Sequence, residues 1–198
     1  KIDNFRSDKV YDGLSKFEVF LTAKEAGINI GVLSALIQAG ALEGFGITRT
    51  LLVYEAQLWN LLTDREKQYI CKNDFKFAKE YNFNLVKIVK ALDEVLTEKG
   101  KKFLRETRLN TLKTKAERYK QIFDMNNKNQ EFANWYYEKH FLGYAYHTTL
   151  QSLFKFNENI RDVEASFVDD KVHFVGWVDE SVKGKSKNGN DYLRLVLS

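Results

Sequence analysis

The residues of this chain with the means for chemistry are its acids, three histidines and one cysteine, and their spacing offers little of it. Asp64, Asp74, Asp93, Glu94, Asp124, Asp162, Asp169 and Asp170 are scattered. A two-metal site needs carboxylates that converge on ions about 4 Å apart. Asp169 and Asp170 are adjacent, but neighbours on a strand point to opposite faces, and the pair reads as a polar turn before a strand. His140, His147 and His173 do not fall at zinc-ligand spacing, and Cys71 has no cysteine partner. No nucleophile elbow is visible. The expectation is a chain that catalyses nothing alone and carries no cofactor.

What the spacing does offer is a place for an anion. Gly40, Gly44 and Gly46 sit between an amphipathic helix bearing Val32, Leu33, Leu36 and Ile37 and a second helix that Thr48 can cap. Glycines at such a turn let the backbone approach another molecule with no Cβ in the way. The new helix exposes free amides at its N-terminus, where the macrodipole is positive. That is a phosphate site, read without reference to base sequence. The candidate contacts are Gly40, Ala41, Leu42, Gly44, Gly46 and Thr48, with Arg49 in the first turn as a charged donor. The plainer reading is that three glycines let two helices pack across a sharp turn.

Charge adds a second candidate surface. The net charge of the 198 residues is only +4. Lys99 to Lys120, however, holds nine basic residues against Glu106 and Glu117, so the rest of the chain is acidic on balance. Within this stretch Leu109, Leu112, Ala116, Tyr119 and Phe123 share a helix face. Arg105, Arg108 and Lys115 lie largely off it, where they could neutralise phosphates or form a solvated face.

The elements that must position these groups are mostly short helices. Ser15 and Glu18 form a capping-box pattern, and Gly27 is a natural stop. Asn29 can cap the next helix, and Thr63 with Glu66 is a second capping box. Asn84 to Glu98 reads as an amphipathic helix ended by Gly100. Asn126 to Asn129 is a polar break, after which helical patterning resumes around Phe132 to Phe141 and Thr148 to Phe154. The period then changes. Val172 to Val178 and Tyr192 to Leu197 read as strands, with a long turn through Lys183 to Asn190 between them. Lys183, Lys185 and Lys187 are expected in that exposed turn, as backbone contacts. Trp177 and Tyr192 could stack on bases or fill an interior. Two strands make a marginal unit, so the hairpin is expected to open a larger β domain.

Apolar residues make up 44% of the chain, with fifteen Phe, ten Tyr and three Trp, so it has the bulk for a core. No apolar run approaches the ~20 residues of a membrane span, and the first residues lack a signal peptide's pattern. A cytoplasmic setting fits. Proline is absent, so turns rest on Gly, Asn and Asp.

Leu36-Ile-Gln-Ala-Gly-Ala-Leu-Glu-Gly-Phe-Gly46, with Thr48-Arg-Thr-Leu-Leu52 after it, resembles the helix-hairpin-helix region of bacterial or phage DNA polymerase III alpha subunits. Glu138-Lys-His-Phe-Leu-Gly-Tyr144 is similar to that family's Glu-Lys-Glu-x-Leu-Gly-Phe segment. Val172 to Leu197 is similar to the opening hairpin of its OB-fold domain. The segment Tyr144 to Leu150 keeps a His of the family pattern but lacks its Pro, and residues 62–136 match no part of it. The resemblance implies a mainly α fold with a helix-hairpin-helix motif, followed by a truncated OB-fold. It divides the chain into a DNA-binding region 1–62, a helical region 63–160 and the OB start at 161–198. It implies a non-catalytic piece of a DNA-directed DNA polymerase, whose palm aspartates and Mg2+ lie upstream. Partners would be primer–template duplex, single-stranded template, a sliding clamp and other replisome proteins. Two other readings fit the same residues: a repair or recombination factor, and a scaffold whose basic helix binds an acidic protein.

Overall fold

The computed structural model describes residues 13–154, 169, 171, 173 and 175–197. They fall into two compact units that divide after Tyr144. The first is all helical: α1 (Gly13–Glu25), α2 (Ile30–Gln38), α3 (Arg49–Leu61), α4 (Asp64–Glu80), α5 (Leu85–Ala91), α6 (Glu106–Asn127) and α7 (Gln130–Leu142). The second holds α8 (Leu150–Phe154) and an antiparallel hairpin of β1 (Val178–Lys185) and β2 (Asp191–Leu197). The fold is therefore mainly α with a C-terminal β-hairpin.

Local chemistry starts and stops the helices as the sequence suggests. Asn29 accepts from the Val32 amide at 2.9 Å and Thr48 from the Leu51 amide at 3.3 Å. Thr63 and Glu66 close a reciprocal capping box. Gly27 ends α1 in a left-handed conformation, with the Ile28 amide returning to the Ala23 carbonyl at 2.8 Å. Each such device satisfies amides or carbonyls that a helix end leaves open.

α3 is the central helix, packing on α2, α5, α6 and α7. Its apolar face carries Leu52, Ala56 and Leu58 into a core with Phe17, Ile37, Ile70, Leu85, Ile88, Leu92 and Leu112. Glu55 is fully buried on the same helix. Its carboxylate accepts from Lys16 Nζ at 2.5 Å and from the Leu85 amide at 2.8 Å, tying α1, α3 and the start of α5 together. Burial pushes the Glu55 pKa up, against the opposing pull of Lys16.

Three expectations are corrected, for the Ser15–Glu18 box, the Asn84 to Glu98 helix and the first strand. The Ser15–Glu18 box lies inside α1, because the helix already begins at Gly13. The helix expected over Asn84 to Glu98 ends at Ala91. Beyond it Val95 and Thr97 pair back across Gly100, with Thr97 N donating to the Lys101 carbonyl at 2.7 Å and Phe103 N to the Val95 carbonyl at 2.8 Å. The helix that opens at Asp64 is interrupted at Asn73, Asp74 and Phe75, which all take positive φ. Elements on both sides of residue 62 pack together in the first unit, where Tyr54 of α3 stacks on Phe123 of α6 at 5.0 Å. In the hairpin, the charged segment Asp179–Lys185 pairs with β2, while Val175 to Trp177 precede the strand. The tight turn Ser186–Asn190 sets this register, with Ser186 N donating to the Asn190 carbonyl at 2.8 Å and Gly189 at positive φ. Of the apolar residues expected in the first strand, Val172 and Phe174 lie outside the described residues.

Candidate nucleic-acid interface

The α2–α3 connection is a bend that turns outward on a buried anchor. Phe45 is buried, while Ala41, Gly44, Gly46 and Thr48 are exposed and Leu42 is half-buried. Gly40, Gly44 and Gly46 have φ of 80°, 95° and 66°, a region that favours glycine. The spacing of the glycines is thus a backbone requirement of this turn.

The amides of the bend divide into two sets. Gly40 N donates to the Ile37 carbonyl at 3.0 Å and Ala41 N to the Leu36 carbonyl at 2.9 Å, closing the end of α2. These two candidates are therefore already committed, as the carbonyls of a finishing helix demand. The amides of Leu42, Gly44 and Gly46 make no hydrogen bond among the described residues. Thr48 caps α3 just behind them, so the positive end of the α3 dipole lies at the bend.

Arg49 does not reach outward as an exposed donor. It is buried, with its Nη1 2.6 Å from Glu138 Oε1 and its Nε 2.7 Å from Glu43 Oε1, and a second nitrogen also donates to Glu43. Glu138 is fully buried on α7. The guanidinium is therefore an internal tie that holds the bend to the start of α3 and α7 to both. Such a fork-shaped cation binding two carboxylates fixes geometry as well as charge. The tie also joins the two helical segments that carry the family resemblance. Nothing local signals this tie, because Arg49 and Glu138 stand 89 residues apart. Glu43, six residues before Arg49 in the same turn, is the partner that local reading could have found.

The basic helix α6 runs with its start beside the end of α3. Arg108 Nη2 donates to the Leu61 carbonyl at 2.9 Å and its guanidinium clamps Glu66. Desolvation would raise the Glu66 pKa, but the Arg108 and Thr63 hydrogen bonds outweigh it and hold the carboxyl below its ordinary value. Arg108, like Arg49, is thus engaged inside the protein. Arg105 and Lys115 are exposed and carry no partner among the described residues. The end of α6 approaches the first half of α3, where Asn126 and Phe123 share a small cavity with Arg49 and Tyr54. The densest part of the basic stretch therefore lies toward the end of α3 remote from the bend. A helix of this length spans about 20 Å.

On the hairpin, Lys183 and Lys185 are strand residues of β1, with only Lys187 in the turn. All three are exposed and unpaired among the described residues. Lys183 stands opposite Leu193 and Lys185 opposite Asp191. Tyr192 is half exposed and lies over Gly184, where an added Cβ would sit 2.6 Å from the ring. Trp177 is partly buried just before β1.

Among the described residues no three of His, Cys, Asp and Glu form a group that could hold a metal ion, and no helix is long and apolar enough to cross a membrane. Burial raises the Cys71 pKa, which makes its thiolate scarce. No family model, no curated protein and no solved structure matches this chain.

Proposed function

We propose that this chain is a non-catalytic, DNA-binding piece of a replicative DNA-directed DNA polymerase of the polymerase III alpha type, gripping duplex backbone without base readout. In this reading α2, the glycine bend and α3 act as a helix-hairpin-helix. The hairpin opens an OB-fold beside single-stranded template, in a cytoplasmic replisome. Metal chemistry with Mg2+ would belong to the parent polymerase.

The observation that carries the reading is the bend itself. Among the described residues the amides of Leu42, Gly44 and Gly46 are unbonded, and they stand in front of a capped helix N-terminus. The Arg49 tie to Glu43 and Glu138 holds that loop in one shape, so little ordering entropy is lost when a phosphate docks. Arg105, Lys115 and the three hairpin lysines supply unpaired positive charge.

The test is anisotropy with a fluorescent duplex of unrelated sequences, over a range of salt. Affinity should be independent of sequence, and log K should fall with log salt by about 0.9 per phosphate neutralised. Gly46 has φ of 66°, so Gly46→Val both strains the bend and places a branched side chain on its outer face, and should weaken binding. Lys115→Glu should reduce the salt slope. No binding at low salt, binding that ignores salt, or a Gly46→Val variant that binds as well as the parent protein would overturn the proposal. The first two outcomes, with an acidic protein still bound, would favour the scaffold.

A further inference from the structure

The face of α4 carries an arrangement that the bend does not use. Four half-buried rings follow one another: Phe103 to Tyr69 at 4.7 Å, Tyr69 to Phe77 at 5.2 Å and Phe77 to Tyr81 at 5.3 Å between centroids. The Arg65 guanidinium lies 4.6 Å from the Phe103 ring centre. Arg65 and Tyr69 step by four on the first part of α4, so one helix face presents them, and Lys72 stands where the helix breaks, with ψ of 148°. The turn across Gly100 delivers Phe103 to the same place. Together with Gln68 and Cys71 these side chains line an open hollow.

Of the residues lining the hollow, Arg65 and Lys72 are exposed and have no ion-pair partner among the described residues. The same holds for Lys76 further along α4 and for Lys99 and Lys101 on the turn. Both acids that flank Arg65 in sequence are committed elsewhere, Asp64 to Lys24 and Glu66 to Arg108. Asp74 and Asp93 are held by Lys79 and Lys102. Glu80 on α4, Glu94 and Glu98 on the turn and Glu106 at the start of α6 are the exposed acids that remain on these segments, four against the five cations. An aromatic column set among unpaired cations is what a flexible polyanion with flat bases requires. Rings and guanidinium planes stack bases of any sequence, and the lysines follow the backbone. A double helix keeps its bases stacked internally and cannot use the rings.

We propose that this α4 face binds single-stranded nucleic acid, with bases stacked against Tyr69 and the Arg65–Phe103 pair and backbone phosphates on Lys72 and Lys101. It lies near the end of α3 opposite the bend and does not depend on the bend binding duplex. A plainer role, rings that only rim the core, predicts no such binding.

The experiment uses the whole chain, a labelled oligothymidylate of about ten nucleotides, and a duplex as the comparison. The double variant Arg65→Glu, Lys72→Glu changes exposed side chains, and circular dichroism checks its fold. Its affinity for the oligonucleotide should fall at least about tenfold, with the salt slope reduced by about 0.7 per lost phosphate contact. Duplex binding should be unchanged. Tyr69→Leu keeps apolar volume but removes the ring, and should weaken the oligonucleotide about 5-fold or more. Photo-crosslinking through 5-iodouracil should mark Tyr69 or Phe103. The proposal is overturned by an absence of oligonucleotide binding at low salt, by unchanged affinity in the double variant, by an equal loss of duplex binding, or by crosslinks confined to the hairpin rings. Failure of duplex binding alone would sink the bend reading and leave this one standing.

Discussion

Arg49→Met tests whether the guanidinium beside the bend is a structural tie or a DNA contact. The Arg49 and Glu138 side chains are 7% and 0% exposed and 2.6 Å apart. Removing one partner of a buried ion pair costs about 3–5 kcal/mol, because the other charge stays desolvated. The Glu43 carboxylate is 47% exposed, so losing its cation adds little. For a chain of this size each kcal/mol moves the melting temperature by about 2–4 °C. The expected loss is therefore about 6–20 °C. Arg49→Met with Glu138→Leu replaces both charges by apolar groups of similar length and should recover most of that loss, since such replacements are often neutral.

Circular dichroism melts of the wild type, two single variants and the double variant give the coupling directly. A single-variant shift under about 2 °C, or a double variant no better than the sum of the singles, would refute the buried tie. The double variant then separates structure from binding. If amides carry the phosphate, it should still bind duplex once its fold is restored, more weakly than the parent because the Arg49–Glu43 restraint on the bend is also gone. A refolded double variant with no detectable binding would count against the amides as the main contact. Arg49→Glu would be a poor probe of binding, because it crowds a third carboxylate against Glu43 and Glu138.

Three further outcomes follow from the same packing. Ser34 Oγ is buried with no hydrogen-bond partner among the described residues, so Ser34→Ala should raise stability by about 1 kcal/mol in urea denaturation. Asn73 has φ of 51° and is exposed, so Asn73→Gly should relieve about 1 kcal/mol of left-handed strain; a lower urea midpoint would mean that the strain is not there. The Glu66 carboxyl is held below its ordinary value of 4.5, so its contribution is present above that pH and is lost as pH falls through the lowered value. Glu66→Gln should flatten the dependence of the melting temperature on pH in that acid range and leave the slope at higher pH alone.

Where the sequence was read correctly, the cause was local. Asn29, Thr48 and Thr63 cap the residues that follow them because the interaction spans three residues. The apolar stripe of α6 was visible because a helix repeats its face every three to four residues. What escaped depends on distance in the chain. Arg49 looks the same in sequence whether it points at solvent or at Glu138, and Arg108 whether it faces phosphate or Glu66. Their burial is decided by α7 and α4, tens of residues away. The helix expected to Glu98 failed for another reason: Val95 and Thr97 kept the helical spacing, but Thr97 Oγ1 donates to the Lys101 carbonyl at 3.0 Å and favours a turn. The first strand starts later than its apolar alternation suggests, because the short turn Ser186–Asn190 sets the register.

The two ends of α3 differ in a way that bears on the ligand. Among the described residues, unbonded amides lie at its start, and rings and lysines without ion-pair partners lie toward its end. On the two proposals above, the start would take duplex backbone and the end a flexible single strand. About 20 Å of helix separates them, close to six base-pair steps of about 3.4 Å. If both proposals hold, a nucleic acid that meets both patches changes from duplex to single strand over that distance, as a primer–template junction does. Such a junction engages the second patch intramolecularly, so it should bind about 10²-fold or more tightly than duplex or single strand alone. Varying the duplex length while holding the overhang fixed locates the optimum. An affinity no greater than that of the better isolated strand form would mean that the two patches never act on one molecule, and the functional reading would have to rest on the bend alone.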